Sequence, residues 1–346
     1  MQEQIFRLGR DGAEVRPFAT AAEVQCRGYS APLQRALVDF GAEESFARAV
    51  ERVREHYRIE VPGSAIRTQT ETHGAALAAL AEPLLTQLGP EAGVPLLLAE
   101  TDGSMIPLVT TGVTATGETV TDRRKARRLR WQEARLCLAR EPEKITGRYG
   151  ACLGEAEAAG AVWLDCAIRA GAGADTHLHC VGDGALWIET QASQRFGAQA
   201  TYLCDFYHVS EYLAAAAVPL AGAESKAWLG QAQDLLKDNR WPEVLDKLAP
   251  HREPPATKDA DAPIRACYRY LDNRREQLDY RSALAADLPI GSGEIESGHR
   301  SVIQERLKLS GAWWCAENAE KMLALRVARA NGEWHSYWSS PHQIWA

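Results

Sequence analysis

The period of the apolar positions changes several times along the chain, and each change marks an element. Phe46, Ala49, Val50 and Val53 recur at helical spacing. Around them PLQRALVDFG predicts a helix closing at Gly41, EESFARAVERVREHY a second, and GSAIRTQTETHGAALAAL a third, entered through Pro62 with Ser64 as N-cap. From residue 93, GVPLLLAETDGSMIPLV is a nearly unbroken apolar run, the pattern of a buried strand, interrupted by Asp102 and Gly103. WQEARLCL alternates as a half-exposed strand does, and a third strand is expected between 144 and 152. EAEAAGAVWLDCAIRA predicts a helix, THLHCVGDGALWIE a strand running into Asp183, QASQRFGAQ a short helix and turn, and ATYLCDFYHV a strand reaching Asp205 and His208. Strands alternating with helices after an initial meander predict a mixed α/β sheet with a parallel part.

Residues 210–285 read as helices throughout, split by the proline-rich HREPPATKDADAP. Beyond them GSGEIESGHRSVIQERL predicts a helix from 292 to about 309, and a last helix ends at Gly332. This divides the chain into an N-terminal helical region (1–90), a first part of an α/β core (91–209), an all-helical insertion (210–285) and a C-terminal helical part of the core (286–346).

Composition narrows the class. The 346 residues, 46% hydrophobic and 25% charged, suit a globular protein, and no window approaches the roughly 18 apolar residues of a membrane span. Without a basic-then-apolar start the expected compartment is the cytoplasm. Eight cysteines form no CxxC pair, so they read as reduced thiols. The formal net charge of -7 opposes a protein coated for nucleic acid, but the run RRKARRLR (123–130) has six basic residues in eight, enough for a local strip.

Acids stand where buried strands meet glycine turns, Asp102 in TDGS and Asp183 in GDGA, and a third candidate heads a late helix. Ligands gather at strand ends in α/β sheets, and carboxylates that converge there repel one another unless a cation intervenes. Oxygen donors suit Mg²⁺ or Mn²⁺, and two such ions stabilise the attacking and leaving oxygens of a phosphoryl displacement. At about 100° per residue, Glu296 falls beside Ile303 and Leu307, with Arg300 nearby, whereas Glu294 falls on the side of Glu305 and Lys308. The wheel therefore turns Glu296 toward the core margin and Glu294 toward solvent. Behind Ser292 as N-cap, both also gain from the helix dipole.

The order TDGS, GDGA, DFYH and GSGEIE resembles the bacterial DDE insertion-sequence transposases of the Kra-type family, relatives of the Mutator-like transposases, over about residues 31–330. The resemblance implies an RNase H-like core, a mixed sheet flanked by helices and interrupted by an all-helical insertion, behind an N-terminal helix-turn-helix-like domain. It implies Asp102, Asp183 and Glu296 as the catalytic, metal-binding triad for two Mg²⁺ (or Mn²⁺) ions. Asp205 and His208, with Arg300, would support the site or touch DNA, although counting acids alone leaves Asp205 as an alternative to Asp183. The implied activity is metal-dependent strand cleavage and strand transfer at transposon ends; an RNase H-like nuclease without transfer and a silent DNA-binding remnant are the alternatives. The implied partners are double-stranded DNA (terminal inverted repeats and target) and further copies of the chain on that DNA, in a bacterial cytoplasm at the nucleoid. Residues expected to contact DNA are Arg67 and Gln69 on the third helix, Arg123, Arg124, Lys125, Arg127 and Arg128 in the basic run, and Arg306 and Lys308. Trp313 and Trp314 could stack on an unpaired base, with core packing expected of at least one. The lack of a CxxC pair sets the chain apart from relatives with a cysteine-rich segment before the helical region.

Overall fold

The computed structural model describes residues 6–7, 14–21, 28–111 and 127–339, and these divide into two compact units. Five strands form one mixed sheet: β1 (Leu96–Thr111), β2 (Arg127–Arg140), β3 (Arg148–Cys152), β4 (His177–Gly182) and β5 (Ala200–Cys204), in the order β3-β2-β1-β4-β5. β4 is parallel to both β1 and β5, whereas β3 runs antiparallel to β2. Arg123, Arg124 and Lys125 lie outside the described residues.

One unit comprises Leu84–Gly103 and Ala134–His299. Alternation along β1 turns Leu97 and Ala99 to one side of the sheet. There they pack with Trp163 and Leu164 of α4 (Ala156–Arg169) and Ile188 and Phe196 of α5 (Leu186–Phe196). Leu98, Glu100 and Asp102 share the opposite face. Val181 and Leu203 form a second core with the helical insertion: α6 (Phe206–Ala221), α7 (Ser225–Lys237), α8 (Trp241–Leu248), α9 (Pro263–Asp272) and α10 (Tyr280–Ala285). Completing this unit is α11 (Gly293–Gly298).

The other unit comprises Met1–Pro83, Ser104–Glu133 and Arg300–Ala346. Helices α1 (Ala31–Glu43), α2 (Phe46–Tyr57) and α3 (Gly63–Leu80) close on Leu37, Ala49, Val53 and Ile66. Against α3 packs α12 (Ala316–Ala330), so the N-terminal helices share a core with the C-terminal ones. No helix among the described residues is long and apolar enough to cross a membrane, and seven described cysteines are free thiols, five of them buried.

Several boundaries differ from expectation for local reasons. α1 continues through Gly41 to Glu43, and α3 starts at Gly63 behind Pro62, so Ser64 is inside the helix and not its cap. LWIE opens α5 and does not prolong β4. β5 stops at Cys204, because the Asp205 side chain caps α6 by accepting from the Tyr207 and His208 amides; His208 is therefore helical. The helix expected over 292–309 is α-helical only to Gly298, π-helical over His299–Gln304, and α-helical again for a turn at Glu305–Leu307. The wider π turn shifts the phase of every later side chain, so the wheel position of Glu296 relative to Ile303 and Leu307 did not carry over.

Candidate active site

The segment Pro289–Ile295 is laced to the sheet by a series of hydrogen bonds. His179 Nε2 on β4 donates to the Pro289 carbonyl (2.8 Å), and the Phe206 amide donates to the Ile290 carbonyl (2.8 Å). Asp205 Oδ2 accepts from both the amide and the hydroxyl of Ser292 (2.6 Å each). Finally, the Ile295 amide donates to Glu100 Oε2 on β1 (2.8 Å). Gly291 is required in this path, because a Cβ there would stand 2.6 Å from the Tyr207 ring. Ser292 thus spends its hydroxyl on Asp205 and makes no side-chain cap to α11.

A second set of bonds fixes the GDG turn. The Asp183 carboxylate accepts from the Ala185 amide (2.8 Å), and its carbonyl accepts from the Tyr270 hydroxyl (2.6 Å). Arg274 on the segment after α9 donates through Nε (2.9 Å) and Nη2 (2.6 Å) to the Gly184 carbonyl, while the Gly184 amide donates to the Tyr202 hydroxyl (3.1 Å). Gly184 has φ +80°, and a Cβ on it would meet Arg274 Nε at 2.3 Å, so both conformation and crowding demand glycine. The insertion is therefore wired to the turn that carries Asp183.

The β1–β4 register runs from Leu96 with His177 to Glu100 with Val181, so Asp102 lies two residues past its last pair on β1 and Asp183 two residues past it on the other side, one residue beyond the end of β4. Both are half-buried. Asp102 Oδ2 lies 3.7 Å from Nε2 of His299, which is 2% exposed and begins the π-helical segment. His299 follows Glu296 by three residues, where the α-helix gives way to the π-helical segment.

The two glutamates exchange the environments expected of them. Glu294 is half-buried and takes Arg140 Nε on both carboxylate oxygens (2.8 and 2.7 Å), while Arg140 also donates to the Glu141, Pro142 and Lys144 carbonyls. Glu294 is thus tied into the fold, and the expectation that it faces solvent is corrected. Glu296 is exposed rather than turned to the core. Among the described residues no three His, Cys, Asp or Glu side chains form a ready metal-ligand group.

Beside the holding residues Arg140, Tyr270 and Arg274, two ionisable residues next to Asp102 were not anticipated from sequence. His299 is one. Glu100, 2% exposed, is the other: burial foremost, with the nearby Glu294 and Asp205 charges, pushes its pKa up to about 8 against the partial relief of the Ile295 amide and Arg140. A signal existed, since Glu100 lies two residues before Asp102 in an apolar run and so shares its face. A raised native pKa favours the folded state fully below the unfolded value of 4.5 and loses that contribution as pH climbs toward about 8. Glu100→Gln is therefore expected to remove a fall in stability on the order of 2–4 kcal/mol between acid and mildly alkaline conditions. Urea unfolding of both proteins across that range checks it; parallel pH profiles would contradict it.

The remaining expected residues divide. Asp205 is 3% exposed and bonded to four donors, a clamp and not an open ligand. His208 is half-buried, 3.6 Å from Glu211 and edge-on to Tyr212 and Tyr270. Arg300 is exposed with Nε 3.8 Å from Glu305. Arg67 is exposed, 3.9 Å from Glu71, but Gln69 is fully buried and cannot reach a base edge as expected. Arg306 is also corrected: it is 1% exposed, donates to the Gly41 carbonyl, and is sandwiched between the Phe46 and Trp314 rings at 4.7 Å each. Burial, with Arg326 beside it, depresses its pKa to about 10. Lys308 is exposed with Nζ 3.4 Å from Ser104 Oγ, and Arg127 and Arg128 are exposed on β2. Trp314 is buried and Trp313 is not. Against known proteins, no family model matches the chain, and no curated protein matches it at a significant level.

Proposed function

We propose that this chain is a DNA transposase of the DDE type, with an RNase H-like core whose reacting carboxylates are Asp102, Asp183 and Glu296. The observation that carries the reading is the sheet order β3-β2-β1-β4-β5, with Asp102 on the central strand and Asp183 at the end of its parallel neighbour. Asp102 lies inside β1 just past the residues paired with β4, and Asp183 follows the carboxyl end of β4; the carboxyl ends of parallel strands are where α/β sheets take ligands. Support also comes from the helix that bears Glu296, whose first turn is bonded to β1 through Glu100.

The donor set is all oxygen, two of the three carboxylates are half-buried and one is exposed, and this fits hard divalent cations. Asp102, Asp183 and Glu296 would hold them, and when bound they supply charge stabilisation to the attacking and leaving oxygens of an in-line displacement. The chain's own part is positional. Tyr270 and Arg274 hold the Asp183 turn, Glu100 and Asp205 hold the start of α11, and His299 stands against the Asp102 carboxylate. With these groups fixed beforehand, little reorganisation accompanies the reaction. The substrate in this reading is duplex DNA at terminal inverted repeats and then target DNA, contacted by Arg67, Arg127, Arg128 and Lys308, with several copies of the chain assembled on it.

The test is incubation with a duplex carrying the inverted repeats that flank the gene, with Mg²⁺. Cleaved and joined products support the transposase; cleavage alone makes the protein a nuclease, and binding with neither makes it a silent remnant.

A further inference from the structure

The outer halves of β1 and β2 carry, beside the arginines assigned above to DNA, large exposed apolar side chains that a contact with duplex phosphates does not use. Arg127, Leu129 and Trp131 alternate onto one face of β2, and every position from Arg127 to Trp131 is exposed. The Arg127 guanidinium lies 5.6 Å over the Trp313 ring, which brings Trp313 to the same face. Trp131 is 56% exposed, Trp313 52% and Leu129 51%, an unusual concentration of large apolar side chains in water. Trp313 does not hang free. Its neighbour Trp314 is buried, donates its indole N–H to the Leu307 carbonyl (3.2 Å), and pairs its backbone with Pro107 and Val109 of β1 (3.3 and 2.7 Å).

We infer that this ribbon is a binding site for an unpaired nucleic-acid strand, whose bases stack on Trp131 and Trp313 while Arg127 on that face, with Arg128 and Arg130 reaching around the strand from the other, takes its phosphates. Charge selects the class of partner: the ribbon is basic on a chain of net charge -7, and no acid occurs from Arg123 to Gln132. Among the described residues no carboxylate pairs with these three arginines. The aromatics select the unpaired form, because a ring can stack only on a base face that a duplex would hide. An indole on β2 and one next to the residue bonded to β1 also lose little side-chain freedom on binding. The inference rests on the nucleic-acid reading above, yet its test needs no cleavage.

The full-length protein, in EDTA, is titrated against a fluorescent oligo(dT) and against a duplex of equal length. The expected result is tighter binding of the single strand by about tenfold or more, with quenching of tryptophan emission. Trp131→Ala and Trp313→Ala should each weaken oligo(dT) binding by about tenfold at an unchanged salt slope, and the Phe variants should restore it. Arg128→Ala with Arg130→Ala should instead lower the slope of log affinity against log salt by about 0.7 per arginine. Equal or better binding of duplex, or tryptophan variants that bind as the parent does, overturns the inference. So does a ribbon that holds a second copy, seen as a dimer in sedimentation that Trp131→Ala converts to monomer with oligo(dT) binding intact. Loss of the joining reaction with stacking retained would sink the transposase and leave this site standing; the reverse pattern would do the opposite.

Discussion

Asp205→Ala is expected to lower the unfolding free energy by about 3–7 kcal/mol. Its carboxylate is 3% exposed and meets four donors: the amides of Tyr207 (2.6 Å) and His208 (3.1 Å), and the amide and hydroxyl of Ser292 (2.6 Å each). Losing the cap on α6 costs about 1 kcal/mol, and orphaning the two buried donors of Ser292 costs about 1–3 kcal/mol more for each. Asp205→Asn keeps one acceptor oxygen but turns an amide toward a donor, so an intermediate loss is expected. Urea unfolding gives the numbers, and a loss below about 1 kcal/mol for the alanine variant would mean that the clamp is not what holds the GSGEIE segment. The same measurement separates two roles that acid counting leaves open, since a reacting carboxylate is dispensable for folding and a clamp is not.

Asp102→Asn, Asp183→Asn and Glu296→Gln should show the opposite profile, with cleavage slowed by about 10²–10³-fold or more and stability moved by no more than about 0.5 kcal/mol. Each is at least partly open to solvent, and each replacement keeps an acceptor oxygen; for Asp183 this preserves the bond from the Ala185 amide. Glu294→Gln is the internal control. It keeps one acceptor for Arg140 Nε but removes the second oxygen and the charge of the pair, so a stability loss of about 1–2 kcal/mol with far smaller loss of rate is expected. Should Glu294→Gln abolish cleavage while Glu296→Gln leaves it intact, the assignment of the two glutamates is wrong.

The parts of the fold set by local pattern were legible in the sequence. The buried run at 96–111, the alternation at 131–138 and the alanine-rich helix after Gly154 all lie close to where period and propensity put them. What escaped depended on partners far away in the chain. Asp205 looked like the end of a strand although it caps the next helix locally, and nothing in its neighbourhood reveals that Ser292, 87 residues on, supplies its other two donors. Glu294 looked solvated because Arg140 is 154 residues away. Arg306 and Gln69 looked like surface polar groups because the rings and helices that enclose them come from other segments. The wheel at Glu296 failed through backbone geometry, since a π turn at His299 is not written in apolar spacing. Asp102 and Asp183, by contrast, were legible as acids interrupting apolar runs, a placement that is costly unless it has a use.

The central claim is a division of labour in which Asp183 reacts and Asp205 holds. The most direct measurement is the yield of strand-joined product from an inverted-repeat duplex with Mg²⁺, for the parent, Asp183→Asn and Asp205→Asn, each at a temperature where unfolding curves show it folded. The expected result is joined product from the parent, none from Asp183→Asn, and product from Asp205→Asn in proportion to its folded fraction. Undiminished joining by Asp183→Asn, or no joining by the parent on any repeat-bearing end, would contradict it.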